Sequence, residues 1–226
     1  AVQDGLLDEA LVDRSCERIL RVHQRYRDHA APQTPWNLDA QHELARSLAA
    51  ECMVLLKNDG AILPLRRDAR MAVIGAFAKQ PRFQGGGSSH IRSARVTSAW
   101  DVLGTLPHVT YADGYDIAQD QPDPQLLAQA VEAAANAEVA IVFAGLPDAF
   151  ESEGYDRTHL RLPDCQIALI EQVCRANPNT VVVLHNGAPV EMPWIGGVRA
   201  VLEAYLGGQA VGGAVADVLL GDRNPC

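Results

Sequence analysis

The chain has 226 residues, of which 48% are hydrophobic, and a formal net charge of −9 at pH 7. This length suits one large domain with an appendage, and the acidic balance argues against a nucleic-acid or anionic-membrane surface, which would need clustered Lys and Arg. The same negative charge favours a neutral or cationic ligand. Because no apolar run reaches the roughly 18 to 20 residues that cross a bilayer, we expect a soluble chain.

The cysteines and histidines predict no metal site and no cofactor. Five cysteines and seven histidines show neither CxxC spacing nor the i, i+4 histidine pair of a helical zinc site. Cys52, Cys165 and Cys174 fall on apparent helices, where we expect them to be small buried residues. The N-terminus has neither the cationic start nor the apolar centre of a signal peptide and is typical of the middle of a longer protein. Periplasmic, secreted and cytoplasmic locations therefore all stay open.

The first third of the chain contains two helical patterns. Apolar spacing predicts an amphipathic helix from Leu6 to Tyr26, whose packing partner we expect outside this chain. Two prolines and a lack of periodicity predict a linker over Arg27–Asn37. We therefore divide the chain into an appendage, residues 1–37, and a domain, residues 38–226. A second helix is predicted over Leu38–Leu56, with one apolar stripe formed by Leu44, Leu48, Cys52 and Leu55.

Short β-branched runs then alternate with helical patterns. Strands are predicted at Met71–Gly75, Val109–Tyr111, Val139–Ala144, Thr180–His185 and Val198–Ala204. Helices are predicted at Ser98–Leu106, Pro124–Asn136, Asp164–Ala176 and Gln209–Leu220. Two of the strands are almost wholly apolar, as expected for strands that are covered on both faces. The pattern predicts an α/β fold, a three-layer α/β/α sandwich with a mostly parallel, flavodoxin-like sheet.

One loop concentrates ionisable residues. Residues 144–163, AGLPDAFESEGYDRTHLRLP, follow the apolar strand at Val139–Ala144 and include Asp148, Glu151, Glu153, Asp156 and Arg157. In open α/β sheets, ligands bind in the crevice outside the carboxyl ends of the strands. We therefore interpret this acidic loop as a candidate site; the alternative is a solvated connection whose charges only favour solubility.

A glycine-rich run, residues 85–89 (GGGSS), follows the first predicted parallel strand. It lacks both the GxGxxG spacing at the strand end and the GK[ST] ending of a phosphate loop, which disfavours a dinucleotide- or phosphate-dependent enzyme. Glycine carries no Cβ, so this backbone can approach a ligand or another domain closely. A flexible turn without a binding role is the alternative.

The acidic loop, with ESEGYDR leading into LRLP, resembles the acid/base loop of glycoside hydrolase family 3. Other motifs similar to the C-terminal domain of that family occur in the same order: VLLKNDGAILPL at residues 54–65, GGGSS at 85–89, LPDCQIALI at 162–170 and GDRNP at 221–225. The resemblance covers nearly the whole chain. It implies the C-terminal α/β sandwich domain of a β-glucosidase or β-xylosidase, and it implies that residues 1–37 come from the end of a preceding barrel.

The resemblance also implies roles for individual residues. Glu153 corresponds to the general acid/base of a retaining hydrolase, with Glu151 as its rival, and the role requires a pKa raised by partial burial or by a neighbouring carboxylate. Asp156 and Arg157 would support the loop. Contacts with the substrate or with the domain interface are implied for Gly86, Gly87, Ser88 and Ser89.

The partners implied by the resemblance are a β-glycoside substrate and a (β/α)8 barrel that carries the nucleophile and lies outside these 226 residues. We therefore expect the chain alone to hydrolyse little or nothing. An alternative reading is a non-catalytic sugar-binding or sensor module of flavodoxin-like fold, because a fold alone does not separate binding from catalysis.

Overall fold

The structure is a computed structural model, and it describes residues 1–29 and 35–226. It divides into two compact units, Ala1–Asn37 and Leu38–Cys226. In the first unit, helix α1 (Glu9–Asp28) begins after Asp8, whose side chain accepts a hydrogen bond from the Ala10 amide at 3.0 Å. The predicted helix is confirmed with its bounds shifted by two to three residues, and none of its side chains is buried. The predicted linker lies partly outside the described residues.

The second unit alternates strands and helices. Its strands are β1 (Val54–Asn58), β2 (Met71–Ile74), β3 (Val109–Ala112), β4 (Val139–Gly145), β5 (Thr180–His185) and β6 (Ala200–Glu203). Its α-helices are α2 (Leu38–Cys52), α3 (Ala99–Leu103), α4 (Pro124–Ala135), α5 (Asp164–Ala176) and α6 (Val211–Leu220). No helix in the described ranges combines the length and apolarity that a membrane crossing needs.

The six strands form one sheet in the order β1-β6-β5-β4-β2-β3. β1 runs antiparallel to β6, and every other neighbouring pair is parallel. On one side α2 and α3 pack against α6, and on the other α4 packs against α5. All residues of β4 and β5 are buried, as expected for central parallel strands covered on both faces. The predicted three-layer sandwich with a mostly parallel sheet is confirmed.

The second helix is shorter than predicted, and its predicted end at Leu56 is wrong. The helix ends at Cys52, and the VLLKN segment forms β1, whose residues pair with β6 from Val54 opposite Glu203 to Asn58 opposite Ala200. The leucines continued the helical spacing, but the main-chain pairing offered by the edge of β6 overrides this local preference. This strand closes one side of the sheet.

The predicted stripe on α2 does not face the core. Leu44 and Leu48 are 53% and 52% exposed, and Cys52 is also exposed, whereas Ala49 and Ala50 are buried. The buried residues of α2 are His42, Ala49 and Ala50, and the two alanines let the helix lie close to α6. The periodicity located the helix correctly but assigned its buried face to the larger side chains.

The expectation for the cysteines holds only in part. Cys165 on α5 is buried and Cys174 is half-buried, but Cys52 is exposed. Burial raises the pKa of the Cys165 thiol to about 12, so this cysteine is protonated at neutral pH and acts as a small apolar residue.

The parallel strands bring their following segments to the same edge of the sheet. Since β2 and β4 are neighbours, the glycine-rich segment after β2 and the acidic loop after β4 leave the sheet side by side. At the start of the acidic loop, the Gly145 amide donates to the buried Gln166 side chain at 2.8 Å. The fold therefore places next to each other the two segments that were predicted separately as candidate sites.

Candidate functional site

Glu153 lies exposed on the acidic loop and contacts the glycine-rich segment. Its Oε2 atom accepts a hydrogen bond from the Ser88 amide at 2.7 Å and a second one from the Ser88 hydroxyl. The two residues are 65 positions apart in the chain. Glu153 and Ser88 were predicted as site residues separately, and the structure places them in direct contact.

The glycines of this segment are packed directly against the acidic loop. A Cβ atom at Gly86 would lie 2.5 Å from the Ser152 hydroxyl oxygen, and one at Gly87 would lie 2.6 Å from the Cβ of Glu153. Gly87 also has a φ of +80°, in the left-handed region that favours glycine. Close approach between the two segments therefore requires glycine at both positions.

The environment of Glu153 differs from the sequence-based expectation in one respect. The two donors of Ser88 hold the pKa of the Glu153 carboxyl below its usual value, because hydrogen bonds to the charged form stabilise it. The role of general acid/base had predicted a pKa raised by burial or by a neighbouring carboxylate. In this structure the side chain is exposed, and among the described residues no carboxylate raises its pKa.

Glu151, the rival candidate, makes structural contacts. Its Oε2 atom accepts a hydrogen bond from the Gly187 amide at 2.9 Å, and its main-chain carbonyl accepts one from Arg82 at 2.8 Å. The side chain thereby joins the acidic loop to the segment that follows β5. Glu151 is tied to main chain, whereas Glu153 presents its carboxylate at the surface beside Ser88.

Arg82 also holds the acidic loop in place, and its role was not predicted from the sequence. This arginine is only 6% exposed; Nη2 donates to the Glu151 carbonyl, and Nη1 forms an ion pair with Asp148. It lies between Pro81 and Phe83, six residues before Ser88. The one signal available was a cation flanked by apolar residues, which is too common to indicate a role.

The residues expected to support the loop behave differently from each other. Arg157 donates to the Pro189 carbonyl at 2.7 Å and so links the acidic loop to the segment after β5. Asp156 is exposed and makes no hydrogen bond or ion pair with any residue of the described ranges, so no contact supports a role for it. Ser89 donates to the Gly86 carbonyl at 3.1 Å and stabilises its own turn.

A buried polar group lies at the carboxyl ends of β5 and β6. His185 packs between the rings of Phe143 and Phe77, with centroids 6.1 and 6.4 Å away. Burial lowers the pKa of His185 to about 4, so its imidazole is neutral near pH 7. Next to it, the Asn186 side-chain amide donates to the Glu203 carboxyl at 3.3 Å and to the Ala188 carbonyl at 3.1 Å.

Glu203 is 6% exposed at the end of β6. Burial raises its pKa to about 7, although hydrogen bonds from the Tyr205 amide and from Asn186 partly oppose that rise, and the charge of Glu151 adds to it. Its proton affinity is therefore coupled to a residue of the acidic loop.

We expect this carboxyl to make the stability of the chain depend on pH. Glu203 keeps its proton in the folded state up to about pH 7, whereas the unfolded state loses it near 4.5. Its contribution is therefore complete below pH 4.5 and is lost as the pH rises through 7, a loss of about 3 kcal/mol. Glu203→Gln should abolish this part of the decline in the free energy of unfolding, measured by urea denaturation from pH 4 to 8. The exposed Glu132 on α4 gives the control, Glu132→Gln; equal pH dependence in wild type and Glu203→Gln would contradict the prediction.

Two further features concern what could bind at this edge of the sheet: metal-ligating groups and a cavity. Within residues 1–29 and 35–226, no group of three or more His, Cys, Asp or Glu side chains is placed to hold a metal ion. A cavity of about 540 Å³ opens at the carboxyl ends of β2 and β4, and Phe77, Arg82, Phe83, Pro147 and Asp148 belong to its lining.

Comparison with known sequences identifies the domain. The sequence profile described as the glycosyl hydrolase family 3 C-terminal domain matches residues 53–226. Thermostable beta-glucosidase B from Acetivibrio thermocellus is 49% identical over the whole chain, which covers 30% of that protein. Exo-alpha-(1->6)-L-arabinopyranosidase from Bifidobacterium longum is 42% identical, again over the whole chain and over 31% of its own length.

Comparison with solved structures gives the same result. The crystal structure of a GH3 beta-glucosidase from Bifidobacterium adolescentis superposes with a TM-score of 0.90 at 41% identity, over 98% of this chain and 33% of that protein. The chain thus spans about a third of the length of the proteins it matches. The profile match covers both the glycine-rich segment and the acidic loop. By sequence and by fold, the chain belongs to glycosyl hydrolase family 3 and carries the C-terminal domain of that family.

Proposed function

We propose that this domain supplies the general acid/base, Glu153, to a retaining β-glycosidase whose nucleophile lies on a preceding (β/α)8 barrel domain. Retaining hydrolysis uses two carboxyl groups, one that attacks the anomeric carbon and one that first protonates the leaving oxygen and then deprotonates water. This chain provides the second of these groups. Its partner carboxylate and most of the sugar pocket belong to the barrel.

The observation that carries the proposal is the placement of the Glu153 carboxyl. It is exposed at the carboxyl edge of a parallel sheet, where ligands bind in this class of fold, and it is held by Ser88. A carboxyl that protonates a glycosidic oxygen must reach a substrate bound on another domain, so it has to be exposed in this domain taken alone. Glu151 does not meet this requirement, because its carboxylate holds the Gly187 amide.

Glu153 acts in both steps of the proposed reaction. In the first step the protonated carboxyl gives its proton to the leaving oxygen while the barrel carboxylate attacks. In the second step the Glu153 carboxylate takes a proton from water, which then releases the sugar from the barrel. The hydrogen bond from Arg82 to the Glu151 carbonyl and the packing of Gly86 against Ser152 fix the main chain just before Glu153, so that the carboxyl is oriented before the substrate binds.

The substrate class follows from the relatives. We infer a β-linked glucoside, xyloside or related sugar, since two of the matched proteins are named beta-glucosidases. A third is named an arabinopyranosidase, so the choice of sugar within this class depends on residues of the barrel. We also infer that residues 1–37 come from the end of the barrel domain, where the exposed apolar face of α1 would find its partner.

The stereochemical course of the reaction tests this function. Full-length protein should hydrolyse an aryl β-glucoside, an aryl β-xyloside or an aryl α-L-arabinopyranoside, and proton NMR should detect first the anomer with the configuration of the substrate. The 226-residue chain alone, assayed in parallel, should give no turnover for want of a nucleophile. Initial release of the opposite anomer would contradict a retaining mechanism, and robust turnover by the chain alone would contradict the shared site.

A further inference from the structure

The two oxygens of the Glu153 carboxyl are not equivalent. Oε2 accepts two hydrogen bonds, both from Ser88, one from the amide at 2.7 Å and one from the hydroxyl. Oε1 accepts none from any residue of the described ranges. One oxygen is therefore occupied by donors and the other is left without a donor among the described residues, in a side chain that is exposed as a whole.

We propose that Ser88 is a positioning residue for Glu153: by occupying Oε2 with two donors it reserves Oε1 for the proton that the reaction transfers. This inference rests on the proposed function and extends it, because it says which oxygen of the acid/base works and which residue selects it. Ser88 itself need not touch the reacting atoms.

The chemistry of the two donors supports this assignment. A main-chain N–H can only donate, so the amide disfavours a proton on the oxygen that it contacts. The serine hydroxyl can also rotate and accept, but with Oε2 already bound to the amide the proton of the acid form is best placed on Oε1. In the first step that proton passes from Oε1 to the leaving oxygen; in the second, Oε1 takes one proton from water and the cycle is balanced.

The packing around Ser88 keeps this arrangement in place. Gly87 carries no side chain, and a Cβ there would lie 2.8 Å from Oε2 itself. The Ser89 hydroxyl donates to the Gly86 carbonyl and so stabilises the turn from the opposite side. Ser88 therefore reaches Oε2 from a turn that is held by its own hydrogen bond and by contact with the acidic loop.

Among the described residues, no charged group accounts for the lowered pKa of Glu153. The causes that move its pKa are the side-chain and main-chain hydrogen bonds of Ser88, with a small opposing effect of burial. The other charged groups around the two segments have partners of their own or are exposed: Arg82 and His90 lie against Asp148, Glu151 accepts from Gly187, Arg157 donates to Pro189, Arg161 pairs with Asp164, and Asp156 and His159 are exposed.

The test compares Ser88→Ala, Ser88→Thr and Ser93→Ala. Ser88→Ala removes one of the two donors, so the pKa of Glu153 should rise; Ser88→Thr keeps a hydroxyl and should restore the wild-type value. Ser93→Ala changes a serine five residues further along the chain, whose side chain makes no hydrogen bond with any residue of the described ranges, and should leave the titration of Glu153 in place. Carbon-13 NMR of the Glu153 carboxyl in the 226-residue chain, titrated from pH 2 to 8, measures this directly.

The second readout is kinetic and uses full-length protein with an alkyl β-glycoside, which needs protonation of its leaving oxygen. The decline of kcat/KM at high pH follows loss of the acid proton, so Ser88→Ala should move that decline to higher pH. Its kcat at the optimum should fall by about tenfold, because only the main-chain amide still holds Oε2 and the carboxyl is oriented less strictly. Ser88→Thr should recover both quantities, which a merely structural role would not produce.

The two readouts separate the possible failures. An unchanged carboxyl titration in Ser88→Ala overturns the inference, whatever the enzyme does. A shifted titration with an unchanged kinetic profile shows that Glu153 is not the acid, and it overturns the proposed function together with the positioning role. A shifted titration, a displaced alkaline limb and recovery by threonine support both.

Discussion

Glu153→Gln in the full-length protein should lower kcat/KM for an alkyl β-glycoside by about a hundredfold to ten-thousandfold, which is the range that a positioned general acid contributes. For a dinitrophenyl β-glycoside the loss in kcat/KM should be small, because that leaving group departs without a proton. The carboxamide keeps the size of the side chain and can still accept from Ser88. Initial rates over a series of leaving groups measure the difference.

Glu151→Gln is the matched control for this prediction. It alters a carboxylate two residues away that holds the Gly187 amide, and an amide oxygen can accept that hydrogen bond as well. Its effect should be modest and should not depend on the leaving group. If the steep dependence on leaving group appeared in Glu151→Gln and not in Glu153→Gln, the two roles would have to be exchanged.

Gly145→Ala should have the largest effect on stability. Gly145 is the last residue of β4, its φ is +151°, and a Cβ there would lie 2.0 Å from the His185 carbonyl oxygen of β5. Both atoms belong to central strands, so neither can move without breaking the β4–β5 pairing. We expect a loss of about 4 kcal/mol or more in the free energy of unfolding, measured by urea denaturation of this chain.

Gly196→Ala provides the comparison for this substitution. An added Cβ at Gly196 meets no atom within 4 Å, and the residue has no positive φ, so its unfolding free energy should stay within about 0.5 kcal/mol of wild type. If Gly145→Ala were as stable as Gly196→Ala, Gly145 would not lie against the His185 carbonyl. The carboxyl end of β4 and the start of the acidic loop would then have a different structure.

Much of the fold could be predicted from local patterns because parallel strands are marked by apolar runs. β4 and β5 are buried at every residue, and the prediction placed both correctly. The pattern misled where two structures share the same spacing: the leucines of the VLLKN segment continue a helical periodicity but form an edge strand. Which one forms depends on the free edge of β6, about 145 residues further along the chain, and local sequence does not contain that information.

The candidate site shows the same limit. The acidic loop and the glycine-rich segment could be selected from composition and from the place of each after a strand, and the family resemblance supplied the role of Glu153. The contact of Ser88 with Oε2 and the burial of Arg82 could not be predicted, since both depend on strands β2 and β4 being neighbours. The predicted rise in the pKa of Glu153 was wrong for the same reason. The pairing of β2 with β4 brings Ser88 to Glu153, and this partner is a serine and not a second carboxylate.

Azide rescue of Glu153→Ala tests the central claim most directly. With an activated aryl β-glucoside the variant should still form the glycosyl-enzyme, but it lacks the base for the second step, so turnover should be slow. Azide needs no base, and added azide should restore turnover and yield the β-glycosyl azide. Rescue of Glu153→Ala with no rescue of Glu151→Ala is the predicted result. Near-normal turnover of Glu153→Ala without azide would contradict the assignment of Glu153 as the acid/base.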